Sequence, residues 1–103
     1  MSKSYRLDFL TVAELELHEA AAWYNSQRRG LGHELLREVR GVTARLLRNP
    51  RIYAPIEEQV RRVFLKRFPY GIFYEVHGDE IVVIACMHES RDPEIWRSRM
   101  AGP

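Results

Sequence analysis

Two stretches of the chain concentrate the side chains that can do chemistry. Between Val60 and Arg67 stand Arg61, Arg62, Lys66 and Arg67 with no acid among them. Such a run can meet phosphates or an acidic peptide, although the formal net charge of the whole chain is only +2. A solvated strand face is the alternative use of the same residues. The second stretch holds His88, Arg91, Asp92, Pro93 and Trp96. Trp96 is read there as a core residue rather than a ligand-stacking one. The single cysteine, Cys86, lies in an apolar run and cannot form an internal disulfide. Only His88 is near enough to activate its thiol, so it reads as a small buried hydrophobe. His18, His33 and His77 have no metal-site spacing with acids or with Cys86, and no glycine-rich phosphate loop is present. No metal or cofactor is expected.

These residues need a scaffold, and the hydrophobic pattern supplies one. Tyr5 to Leu10 alternates like a half-buried strand, with Tyr5, Leu7 and Phe9 on one side. Thr11 followed by Glu14 has the form of a capping box for a helix running towards Gly30, which serves as its stop. Leu17, Ala20, Ala21 and Tyr24 share one face of that helix. A second helix carries Leu31, Leu35, Val39, Val42 and Leu46 at helical spacing and ends at Asn49 and Pro50. Arg37, Arg40, Arg45 and Arg48 fall mostly on its other side. So short a connection makes the two helices an antiparallel hairpin.

Residues 51–59 read as an irregular connection around Pro55. Strand character returns in VRRVFLKRF and, after Pro69, in Gly71 to Val76 and Ile81 to Met87, the last two joined by a turn at His77 to Glu80. Ile81 to Met87 is apolar on both faces, as in a strand covered on both sides. The helical hairpin can cover one face; the C-terminal segment or a partner must cover the other. Asp92 and Pro93 open a short helix, PEIWRSR. The expected fold is a single α+β domain over residues 1–103. Its order is strand, helix, helix, strand, strand, strand and short helix, an antiparallel sheet backed by a helical hairpin. No signal peptide or apolar run of membrane-spanning length occurs, so the expected location is the cytoplasm, with no membrane partner.

This order occurs with WY at Trp23 and Tyr24, GLG at Gly30 to Gly32 and NPxxY at Asn49 to Tyr53. RFPYxIxY at Arg67 to Tyr74 and HxxRDPxxWxxR at His88 to Arg99 complete the set. Together they resemble the RelE/ParE superfamily of type II toxins over nearly the whole chain, closer to its ParE-like branch. The resemblance implies a small toxin held inactive by a cognate antitoxin, whose extended C-terminal part covers the toxin's sheet and helices in a hetero-oligomer.

Two mechanisms divide the superfamily. ParE-like members are associated with poisoning DNA gyrase without nuclease chemistry, which makes Arg61, Arg62, Lys66, Arg67, Tyr70, His88 and Arg91 contacts to target or antitoxin. RelE-like members resemble metal-free ribonucleases acting on mRNA at the ribosome. That chemistry would make Arg67 the phosphate clamp and His88 the acid or base, with Lys66 and Tyr74 in support and Glu57 or Glu58 as partner base. The segment before the basic strand carries two glutamates and only Arg51, where RelE-like ribonucleases tend to be lysine-rich. The ParE-like reading is therefore adopted; the ribonuclease and a degenerate, non-toxic antitoxin-binding module are its alternatives. His88 also has a structural reading, as a residue that fixes the strand end.

Overall fold

The computed structural model describes residues 4–101. The elements are β1 (Arg6–Phe9), α1 (Thr11–Gln27), α2 (Leu31–Arg48), β2 (Pro55–Glu57), β3 (Val60–Phe64), β4 (Tyr70–His77), β5 (Glu80–His88) and α3 (Glu94–Arg97). One five-stranded sheet has the order β1-β5-β4-β3-β2, with the α1–α2 hairpin on one face. The α+β layering therefore follows the hydrophobic pattern. The sheet differs from the expected one in two respects. β2 lies in the segment read as irregular and pairs antiparallel with β3; three residues are too few for alternation to show. β1 runs parallel to β5, from Arg6 opposite Glu80 to Phe9 opposite Val83. The long helical connection permits a parallel pairing that no tight turn could make.

The helix ends also correct the pattern. Thr11 is the first residue of α1 rather than its cap, and Leu10 holds the capping position without a side-chain bond. The reason is that the Leu10 amide still donates to the Val83 carbonyl of the sheet at 2.9 Å, so strand passes into helix with no residue left for a capping box. Gly30 does not end α1, which stops at Gln27; it opens α2 with φ 89°, a left-handed conformation suited to glycine.

Between the helices the backbone of α1 at Ala21 comes close to Gly32 of α2. A Cβ at position 32 would lie 2.1 Å from the Ala21 carbonyl oxygen, and the Gly32 amide donates to Asn25 Oδ1 at 2.8 Å. Gly32→Ala must push the helices apart, and it is expected to lower stability by about 2 kcal/mol, as overpacking does. A urea midpoint equal to the parent's would show that the hairpin yields freely.

A bulge organises the sheet. Phe73 opposes Ala85 while Tyr74 opposes Val83, leaving Ile84 as an extra residue in β5. Ile81, Val83 and Cys86 consequently join the layer beneath the helices, whereas Ile84, Ala85 and Met87 join a second layer on the opposite face. The missing cover for that second face is the C-terminal segment. Trp96 stacks on Phe73 with ring centroids 5.3 Å apart, and Ile95 and Met100 pack beside it. The Asp92 carboxylate accepts the Glu94 amide at 2.9 Å, which starts the single turn that turns Trp96 down onto the sheet.

Candidate functional site

The basic stretch forms one wall of a groove of about 660 Å³ between α2 and β3. Arg62, Lys66 and Arg67 come from the strand side, and Arg37 and Arg45 from the helix side. Two acids of α2 stand among them. Glu34 Oε1 accepts from the Arg67 guanidinium at 2.6 Å, and its other oxygen from Arg28 at 3.2 Å. Glu38 accepts the backbone amides of Lys66 and Arg67, which ties the turn after β3 to the helix. The hydrogen bond from Arg67 is the main force holding the Glu34 carboxyl below the ordinary glutamate range, with the charges of Arg67, Arg28 and Arg37 assisting.

A depressed folded-state pKa makes the Glu34 pair favourable to folding above the ordinary glutamate value, and the contribution is lost as pH falls through the folded value. A carboxyl-carbon NMR titration of Glu34 should therefore give a midpoint below that of an exposed glutamate, and Arg67→Met should move it upward. An unchanged midpoint in the variant would remove the pair from this account.

A second, smaller cleft of about 230 Å³ lies at the end of β5. Glu16, Glu19 and Trp23 line it from α1, with Tyr70, His88 and Arg91 opposite. The bulge carries His88 onto the helix side, where it faces its cross-strand partner Tyr70 with rings 5.5 Å apart. Tyr70 in turn meets Tyr24 at 6.0 Å, and burial raises its hydroxyl pKa. His88 Nδ1 accepts the Ser90 amide at 3.1 Å, which fixes the ring at the end of β5.

The residues singled out from the sequence thus separate. Arg67 lines the first cleft and His88 the second, and the two clefts share no lining residue. Tyr74 is fully buried, its hydroxyl donates to the Pro50 carbonyl at 2.7 Å, and burial pushes its pKa up to about 12; no substrate can reach it. Arg61 donates to the carbonyls of Tyr53 and Arg51 and so braces the loop before β2. Arg62 lies over the Phe64 ring at 4.4 Å. Glu57 receives Arg97 at 3.0 Å, and Glu58 sits exposed in the β2–β3 turn with φ 48°. The Cys86 thiol, buried beneath α1, is pushed up to about 12. Among the described residues no three His, Cys, Asp or Glu side chains gather as a metal site, and no helix is long and apolar enough to cross a membrane.

The contribution of α2 escaped the sequence reading. Glu34, Glu38 and Arg45 recur at helical spacing along one flank, and that mixed stripe beside the core face is the signal that marks a groove wall.

The family model described as "ParE toxin of type II toxin-antitoxin system, parDE" matches residues 7–93. No curated protein sequence matches. Among solved structures, a chain of the chromosomal ParDE toxin-antitoxin system from P. aeruginosa superposes with a TM-score of 0.72. It is 17% identical, and the match covers 82% of this chain and 96% of that one; at that identity the likeness speaks for the fold. With the family match spanning most of the chain, the protein belongs to the ParE toxin family of type II toxin-antitoxin systems.

Proposed function

We propose that this ParE-family chain is a toxin that acts by binding, with DNA gyrase as its target, in the cytoplasm, and that a cognate antitoxin neutralises it in a hetero-oligomer. Family membership supports the toxin role, and the fold neighbour belongs to a ParDE toxin-antitoxin system. One observation favours binding over catalysis: the pair that ribonuclease chemistry would need, Arg67 and His88, lines two different clefts. A phosphate held by Arg67 would then lack a proton donor or acceptor from His88 within hydrogen-bond reach. Arg67 is already engaged by Glu34, and Tyr74 is sealed inside the core.

Expression without an antitoxin is expected to arrest growth while primer extension on cellular mRNA shows no induced cuts. Cuts that appear on induction and disappear in His88→Ala would replace this reading with the ribonuclease. Undisturbed growth would leave a non-toxic binding module.

A further inference from the structure

We infer that the outward face of α2 is a nucleic-acid surface, which holds the sugar–phosphate backbone of duplex DNA through Arg37, Arg40, Arg45 and Arg48. The inference goes beyond the gyrase reading and does not depend on it, because the contact needs only this chain and DNA.

Helical periodicity defines the face. Leu35, Val39, Val42 and Leu46 form the buried side of α2, and residues half a turn away from them point to solvent. Arg37, Arg40, Arg45 and Arg48 are all exposed, and no exposed residue of α2 is acidic. The two glutamates of the helix are half-buried on the flank towards β3, where Glu34 holds Arg67 and Arg28 and Glu38 holds two backbone amides. Glu14 of α1 shares a cleft with Arg40 and stands 3.8 Å from His18. None of the four guanidinium groups makes a hydrogen bond or ion pair among the described residues. A chain whose formal net charge is only +2 thus gathers four unpaired cations along one helix.

The fold gains nothing from this arrangement. Arg37 with Arg40, and Arg45 with Arg48, are like charges three residues apart, a spacing that weakens a helix. The helix dipole offsets the second pair, since Arg45 and Arg48 stand in the last turn. It does not reach Arg37 and Arg40. Gly41 lies between the two pairs, in a helix interior where glycine is unfavourable. A Cβ there would meet nothing within 4 Å, and the backbone is not left-handed, so neither packing nor conformation requires a glycine. A polyanion accounts for both features: the arginines reach its charges from either side, while Gly41 and Ala44 let the helix approach it closely.

The chemistry of the face selects the ligand. From Arg37 to Arg48 the helix axis rises roughly 17 Å, and a DNA duplex offers on the order of ten phosphates over that length. Guanidinium groups suit phosphate oxygens. Single-stranded nucleic acid is held by stacking on aromatic side chains, and α2 has none. A protein partner would seek a large anchor at the centre of its contact, where this face has only Gly41 and Ala44. Contacts to the backbone carry no sequence information, so binding is expected to be independent of sequence.

The test titrates the full chain into a labelled mixed-sequence DNA duplex and follows fluorescence anisotropy. Affinity should fall with salt at a log–log slope of about −3 to −4, roughly a hundredfold between 50 and 200 mM. Arg37→Gln and Arg40→Gln should each reduce the slope by about one. Gly41→Glu, which sets a carboxylate in the middle of the face, should abolish measurable binding. All three positions are exposed, so circular dichroism and thermal midpoints should match the parent's. The inference is overturned if the duplex does not bind at 50 mM salt, or if the three substitutions leave binding unchanged. It is equally overturned if single-stranded DNA, duplex RNA or polyglutamate binds more tightly than the duplex. Growth arrest scored in parallel keeps the two readings apart. A chain that arrests growth without binding DNA loses only this surface, whereas one that binds DNA and leaves growth untouched keeps the surface and loses the toxin role.

Discussion

Trp96→Ala is expected to cost about 3–5 kcal/mol, the usual loss for truncating a buried large aromatic. Trp96 is 5% exposed and is the largest side chain of the second core layer. It lies nearly parallel to Phe73, at an interplanar angle of 22°, and with Ile95 and Met100 it covers Ile84, Ala85 and Met87. Removing the ring opens a cavity over the middle of the sheet, and the single turn of α3 has no other buried residue to hold it down. The loss should appear as a lower urea midpoint with an unchanged slope. Trp96→Phe, which keeps the stacking partner, should recover most of it. Equal midpoints for Trp96→Ala and the parent would show that the C-terminal segment does not cover the sheet.

Glu16→Ala is expected to cost about 3 kcal/mol, at the lower end of the range for breaking a buried ion pair. Glu16 and Arg99 meet at 2.8 Å, and their side chains retain only 14% and 16% exposure. The pair does more than neutralise itself, because it completes the β5 bulge. Glu16 accepts the Cys86 amide at 3.1 Å, and Arg99 donates to the Ile84 carbonyl at 3.0 Å. Beyond Val83, β5 has no β1 residue to pair with, and these two side chains take the place of the missing strand. Deleting Glu16 therefore strands a largely buried guanidinium and leaves an amide without its acceptor. A double-mutant cycle should find that Glu16→Ala and Arg99→Ala together cost clearly less than their sum. Strict additivity would contradict a coupled pair.

Much of this fold was legible because periodicity reports burial. Leu35, Val39, Val42 and Leu46 marked the core face of α2, and the alternation of Ile72 and Tyr74 against Phe73 and Glu75 separated the two faces of β4. What stayed hidden depends on contacts distant in sequence. The bulge at Ile84 leaves no trace in a run that is apolar on both faces, so the orientation of His88 could not be read. Thr11 and Glu14 have capping-box spacing, but a sheet hydrogen bond at Leu10 decides where the helix begins.

The candidate site was half legible for the same reason. The cations of the basic stretch were visible as a charge run, whereas their groove needs Glu34, Glu38, Arg37 and Arg45 from a helix some thirty residues earlier in the chain. Arg61 and Tyr74 looked available from residue type alone. Their hydrogen bonds to Tyr53 and Pro50 show that both serve the loop between α2 and β2.

The central claim, a toxin that acts by binding gyrase without cutting RNA, is tested most directly by assaying DNA supercoiling and mRNA cleavage side by side with one preparation of the full chain. The expected result is that gyrase supercoiling falls with added protein while transcripts stay intact. Cleaved transcripts with supercoiling unaffected would contradict it.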